Sequence, residues 1–128
     1  MATRIFLALS ALIWLPYGLY CFFSPGYLAE AAGVGFTSPT GATELRAMYG
    51  GLQAAIGVVA LGGALRPERA RSALQLLLVV GAGLGVPRVL GAGLDGAFSA
   101  YTVMAVGLEL GTVAITLWLL RRAPALAA

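Results

Sequence analysis

The chain has 128 residues, of which 60% are hydrophobic and 10% are charged, and its mean hydropathy is +0.92. Soluble domains carry about a quarter charged residues, so this composition excludes an ordinary soluble domain and predicts an integral membrane protein. All eight basic residues are Arg and there is no His, which excludes His-ligated haem, His metal sites and His general-base catalysis. The single Cys21 cannot form an internal disulfide. We therefore expect neither a metal nor a cofactor, and the net charge of +3 gives no sign of nucleic-acid binding.

Four apolar segments have the length of a membrane span, over residues 5–23, 44–65, 72–94 and 98–120. A helix needs about 20 residues to cross the hydrocarbon core, and these runs are continuous rather than alternating, which favours helices over barrel strands. The first segment is predicted to be a retained helix, because it is long for a signal peptide and no small-residue cleavage site follows it. Short links make sequential spans antiparallel neighbours. The prediction is one all-α domain over residues 1–128, an up-down four-helix membrane bundle.

The orientation prediction rests on the arginines at the span ends. Six of them fall on one side of the membrane if both termini are cytoplasmic: Arg4, Arg66, Arg69, Arg71, Arg121 and Arg122. Cytoplasmic loops carry an excess of Lys and Arg, so we expect a multi-pass protein of the inner (plasma) membrane with cytoplasmic termini. The opposite side carries a longer loop, whose apolar stretch at residues 27–36 is predicted to form a short helix on the membrane surface.

Arg88 is the most informative residue, because it lies in an otherwise apolar span. A guanidinium keeps its charge in proteins and needs a partner or water, and charged groups inside spans face the bundle interior or a wet cavity. The mid-span carboxylate Glu109 is the predicted partner. At 100° per residue the polar residues of all four spans converge in the outer half of the bundle. They are Tyr17 and Tyr20 in the first span, Arg46, Tyr49 and Gln53 in the second, Arg88 in the third, and Tyr101 and Glu109 in the fourth. The pattern predicts an outward-facing polar pocket.

Each of these residues also has a structural interpretation. In that interpretation, Arg88 and Glu109 form a buried ion pair whose role is to fix the register of two helices. Arg46 is placed to snorkel to the headgroups, and Gln53 to form a hydrogen bond between helices. The tyrosines suit an aromatic belt at the interface. The spacing of Gly81 and Gly85 on the Arg88 face predicts close packing inside the bundle. Gly107 and Gly111, on the opposite side from Glu109, predict a contact with a neighbouring helix or a second copy in a homo-oligomer.

The string at residues 43–51, together with Pro87 and Arg88 in the third span and Glu109 in the fourth, carries a family resemblance. The chain resembles, from Trp14 to Leu120, a bacterial family of small four-span membrane proteins known only as a domain of unknown function. It is also broadly similar to the DoxX-like group of four-helix membrane proteins. The resemblance implies a four-helix fold and brings no activity and no catalytic residues.

Three functions remain open, together with a proton-coupled transporter, which would need to oligomerise to form a path. In the first, the pocket binds a small amphipathic, lipophilic or anionic molecule: Arg46 and Arg88 pair with an anionic group, Tyr49 and Gln53 orient it, and Tyr17 and Tyr20 line the site. In the second, the protein is a membrane enzyme that isomerises, cyclises or opens an epoxide in a lipophilic substrate. Glu109 then transfers the proton, Tyr101 or Tyr49 is the second proton-transfer group, and Arg88 tunes Glu109 or stabilises an oxyanion. In the third, the protein is an accessory subunit of a larger membrane complex.

Overall fold

The structure is a computed structural model that describes residues 1–122, and in this range it contains helices and no strands. The elements are α1 (Ala2–Phe23), α2 (Tyr27–Ala32), α3 (Pro39–Leu45), a π-helical segment (Arg46–Gly51), α4 (Leu52–Leu65), α5 (Pro67–Asp95) and α6 (Ala100–Arg122). Four helical segments are long and apolar enough to cross a membrane: Ala2–Phe23, Pro39–Leu65, Pro67–Asp95 and Ala100–Arg122. The predicted all-α, four-span architecture is confirmed, and the chain is a multi-pass membrane protein.

The second and third spans both begin earlier than predicted, each with a proline at the start of the helix. Ser38 is the N-cap of α3, where its hydroxyl accepts a hydrogen bond from the Gly41 N–H, and Pro39 follows at the first helical position. Pro67 begins α5 in the same way, so the link between α4 and α5 is Arg66 alone. Arg69 and Arg71, predicted to lie in that link, instead belong to the first turns of α5.

The bundle is closed on three sides and open on the fourth. α1 packs along α4, α4 along α5 and α5 along α6, whereas α1 and α6 share no comparable interface. Apolar side chains form two buried clusters, one near each end. We call the end that carries Arg4, Arg71 and Arg121 the arginine end, and the other, where α1 runs into α2, the loop end. The arginine-end cluster is built from Leu7, Ala11, Trp14, Ile56, Ala60, Ala64, Ala73, Leu74, Leu77 and Leu119, and the loop-end cluster from Cys21, Leu28 and Leu45.

Glycines bring α1 and the second span into direct backbone contact. A Cβ at Gly57 would lie 2.5 Å from the backbone nitrogen of Leu15, and a Cβ at Gly50 would lie 2.9 Å from the Cα of Phe22. Gly18 of α1 meets the second span equally closely. Apolar side chains gain nothing by leaving lipid tails for one another, so spans associate through such close van der Waals contact. The seam between α1 and α4 is therefore the tightest in the bundle.

The second span changes its helical pitch at residues 46–51. Its π-helical turn is shown by the hydrogen bond from the Leu52 N–H to the Ala47 carbonyl, five residues back. A π turn advances each residue by a smaller angle than an α turn, so the 100° rule fails across it. The 100° spacing that placed Arg46, Tyr49 and Gln53 on one face therefore does not describe this part of the span.

The glycine seam makes a testable prediction for stability. Gly57→Ala should lower the free energy of unfolding by about 1–3 kcal/mol, because its methyl group meets backbone atoms that cannot move aside. The measurement is denaturant-induced unfolding in mixed micelles.

Gly62→Ala is the matched control, in the same helix and with no neighbouring atom within 4 Å of its new Cβ. This substitution should be neutral or stabilising by up to about 1 kcal/mol, because Ala has a higher helix propensity than Gly. Equal behaviour of the two variants would contradict the close seam.

Candidate functional site

Arg88 of α5 and Glu109 of α6 form a direct, bidentate ion pair. The Arg88 Nε donates to both carboxylate oxygens, at 3.1 Å to Oε1 and 2.9 Å to Oε2, and Nη2 donates to Oε1 at 2.7 Å. The Glu109 side chain is 5% exposed and the Arg88 side chain 29%. The contact expected between these two residues is therefore present. Glu109 is enclosed, and Arg88 carries the accessible part of the pair.

The pair forms because α5 and α6 approach closely one turn earlier. A Cβ at Gly81 would lie 3.2 Å from the Glu109 carbonyl oxygen, and a Cβ at Gly85 would lie 3.2 Å from the Glu109 Cβ. Gly85 precedes Arg88 by three residues, so it occupies the same helix face. The predicted packing of the Gly81 and Gly85 face inside the bundle is found here. It seats the Glu109 backbone against α5 and lets the guanidinium reach the carboxylate without a gap.

A second polar contact connects the two helices that do not otherwise pack. The hydroxyl oxygens of Tyr17 on α1 and Tyr101 on α6 lie 3.1 Å apart, within hydrogen-bond distance. Both side chains are half-buried. This hydrogen bond spans the open seam between α1 and α6 near the loop end.

A cavity of about 590 Å³ lies behind this seam, between the two apolar clusters. Five of the residues predicted for the site line it: Tyr17, Gln53, Arg88, Tyr101 and Glu109. The remaining wall is mostly apolar, formed by Ile13, Trp14, Tyr27, Ala31, Leu84, Met104, Ala105 and Leu108. The volume falls in the range of cavities that hold drug-sized ligands, which are typically apolar with a few converging polar groups.

The cavity opens sideways, between α1 and α6. Its wall residues on these two helices are themselves exposed at the bundle surface, with Ile13 at 44%, Met104 at 75% and Leu108 at 40%. Trp14, on the inner side of α1, is 5% exposed and closes the back of the space. The opening therefore lies on a lateral face of the bundle, between two of its four long apolar helices.

Three residues predicted to bind the ligand lie outside the cavity wall. Arg46 donates from Nε to the Phe22 carbonyl at 3.2 Å, so it satisfies a free carbonyl in the last turn of α1. Tyr49 packs against the loop-end cluster. Tyr20 is 53% exposed and stacks edge-on with Tyr27, with ring centroids 5.0 Å apart. Gln53, which follows the π-helical turn, does line the cavity.

The cavity also has wall residues that sequence reasoning missed. Tyr27 and Ala31 come from α2, the short helix that follows α1. The apolar stretch at residues 27–36 predicted a surface helix. In the structure Leu28 is fully buried in the loop-end cluster, which directs Tyr27 toward the cavity. The available sequence signal was the apolar character of this stretch, which fits either a membrane surface or the bundle. Only the structure shows that Leu28 packs on the bundle.

The polar groups of the site include two tyrosine hydroxyls, the Gln53 amide and the Arg88–Glu109 ion pair. Within residues 1–122 no three His, Cys, Asp or Glu side chains come together as a metal site would require.

Gly107 and Gly111 lie away from the cavity, and a Cβ at either would meet nothing within 4 Å. The homo-oligomer contact expected at these two glycines stays a prediction.

The ion pair makes a prediction of its own. Arg88→Met should destabilise the protein by about 3–5 kcal/mol, because it leaves a buried carboxylate without a partner. The double variant Arg88→Met/Glu109→Leu should recover most of that loss, since it removes both charges. A double-mutant cycle of unfolding free energies measures the coupling. Additive effects of the two single substitutions would contradict the coupling.

Comparison with known proteins agrees with the family-level resemblance. No curated protein and no solved structure matches this chain, and the broader likeness to DoxX-like proteins has no support. One family model matches residues 2–120, which spans all four membrane helices and the whole cavity. The chain belongs to the family described as domain of unknown function DUF4345.

Proposed function

We propose that this protein binds a small lipophilic molecule with an oxygen-bearing polar end, held in the cavity between α1 and α6. The observation that carries the proposal is the arrangement of the wall, where a few hydrogen-bonding groups converge in a mostly apolar space. The apolar residues contact the body of the ligand, and the polar groups fix its orientation.

The charge of the site favours a neutral polar end over an anion. Glu109 already compensates the Arg88 charge, and Arg46 is engaged with the end of α1. Of the donors of Arg88, only Nε and Nη2 are used by Glu109, so Nη1 is available within the described residues. Together with the Gln53 amide and the tyrosine hydroxyls, this donor suits a carbonyl or hydroxyl oxygen. The ligand class is therefore a lipophilic ketone, ester or alcohol rather than a carboxylate.

The route of access agrees with a lipophilic ligand. The opening between α1 and α6 faces the bilayer, so a ligand dissolved among the acyl chains reaches the cavity without crossing water. The arginine distribution supports cytoplasmic termini in the plasma membrane, which sets the cavity in the outer half of the bilayer. The glycine face at Gly107 and Gly111 then remains free for a second copy or another membrane protein.

Filling the cavity tests the binding function. Ala105 lines the cavity on α6, and Ala114 lies exposed on the same helix away from it. Native mass spectrometry after extraction in gentle detergent should detect a discrete bound mass on the unmodified protein. Ala105→Phe should lower its occupancy at least about tenfold, which corresponds to about 1.4 kcal/mol.

Ala114→Phe is the control, with the same added volume on the lipid-facing side, and should retain the bound mass. Retention of the bound mass in Ala105→Phe would show that the ligand binds outside this cavity. An unmodified protein that carries no small molecule, and only another polypeptide, would favour the accessory-subunit function.

A second candidate is an acid/base enzyme acting on the same class of molecule. The hydroxyl pair of Tyr17 and Tyr101 favours it, because two phenols in hydrogen-bond contact line the same cavity as a carboxylate and can carry a proton. Glu109 is then the proton-transfer group and Arg88 holds its carboxylate in place. The reactions that fit are isomerisation, cyclisation and epoxide opening.

Glu109→Gln separates the two functions. A binding site should tolerate this change better than an enzyme, because the amide oxygen still accepts from Arg88 while the acid is lost. We expect ligand occupancy to fall by less than about tenfold. Conversion of the bound molecule to an isomer that chromatography separates, or to a heavier product where water opens an epoxide, would instead establish the enzyme if it is abolished in this variant.

A further inference from the structure

A second cavity lies at the arginine end, far from the first. Its volume is about 580 Å³, and it is formed where the start of α1, the end of α4 and the start of α5 meet. Gly63, Ala64 and Leu74 make its apolar wall, and Arg4 and Arg71 reach it from opposite sides. The orientation of the spans and the loop-end cavity do not account for this second cavity.

The two arginines are not neutralised by the protein. Within residues 1–122 the only ion pair is that of Arg88 with Glu109, so Arg4 and Arg71 face the cavity without a carboxylate within 4.0 Å. Glu68 also lines the space and offsets one of the two positive charges. The cavity therefore carries an excess of positive charge.

Arg71 supplies an independent indication that an acceptor belongs in this space. Its Nη1 is buried from solvent and has no hydrogen-bond partner in the described part of the chain. An unpaired guanidinium nitrogen is costly to bury, and phosphate oxygens are acceptors that match its geometry. The adjacent Thr3 hydroxyl adds another polar group to the wall.

We propose that the arginine-end cavity binds the phosphate group of an anionic phospholipid. The cavity lies at the ends of three spans, at the level where headgroups are found, and basic pockets between membrane helices recognise such lipids. A phosphate group alone would leave the apolar wall of Gly63, Ala64 and Leu74 unused. The glycerol and first methylenes of a lipid fill that part. This site is separate from the proposed function of the loop-end cavity.

The test compares Arg71, which lines the cavity, with Arg69 of the same helix, which does not. The protein is reconstituted in nanodiscs of phosphatidylglycerol and phosphatidylcholine, and the lipids retained after gentle release are counted by native mass spectrometry. The unmodified protein should retain phosphatidylglycerol preferentially. Arg71→Gln should reduce that retention at least about tenfold, since it removes a charge-assisted contact. Arg4→Gln, on the other helix and at an exposed position, should reduce it in the same direction.

Arg69→Gln is the matched control, with the same loss of charge two residues away and outside the cavity. It should change retention by less than about twofold, because exposed charges are screened. Equal losses in Arg69→Gln and Arg71→Gln would overturn the site in favour of general attraction to the arginine end. Equal retention of both lipids by the unmodified protein would overturn it as well.

Inorganic phosphate and glycerol 3-phosphate distinguish the source of the phosphate. The lipid assignment predicts that neither displaces bound phosphatidylglycerol at millimolar concentration. Displacement that depends on Arg71 would overturn that assignment in favour of a soluble phosphate compound. Ala105→Phe should leave lipid retention unchanged, so failure here is distinguishable from failure of the loop-end ligand site.

Discussion

The ion pair between Arg88 and Glu109 is the constraint on which the loop-end half of the bundle depends. A charge that cannot be removed lies within a membrane span, and the fold must supply its counter-ion at the same depth. Gly81 and Gly85 make this possible, because they bring the backbone of α6 against α5 where the carboxylate is needed. The register of these two helices and the shape of the cavity follow from that one requirement.

The bundle separates a closed region from an open one. α1 and α4 are in backbone contact along a glycine seam, and the arginine-end cluster fills the space below the cavity. On the other side, α1 and α6 are connected near the loop end by one hydrogen bond between tyrosines. A hydrogen bond of this kind contributes only about 1 kcal/mol, so this seam is the part of the bundle that separates at least cost. In the proposed function, the lipophilic molecule enters at this seam.

The two cavities differ in charge, although their volumes are nearly equal. At the loop end the charge of Arg88 is compensated within the protein, which suits a neutral oxygen atom at the end of an apolar ligand. At the arginine end Arg4 and Arg71 form no ion pair within residues 1–122 and outnumber the one carboxylate, Glu68, which is the basis for the phosphate proposed there. The difference follows from depth, since a bare charge deep in the bilayer is costly, whereas a charge at the headgroup level is not. The two ends are therefore suited to different molecules.

The sequence by itself determined the class of protein, the number of spans and most members of the polar layer. Composition, segment length and helical period are local properties of the chain. They were sufficient to identify five residues that line the cavity, Tyr17, Gln53, Arg88, Tyr101 and Glu109. Only the tertiary structure decided which side chains meet. A π-helical turn lies between Arg46 and Gln53, which an assumed period of 100° cannot detect, and of the residues predicted in this span only Gln53 lines the cavity. The return of α2 onto the bundle, which adds Tyr27 to the site, is likewise a matter of packing between distant segments, which periodicity within one helix does not encode.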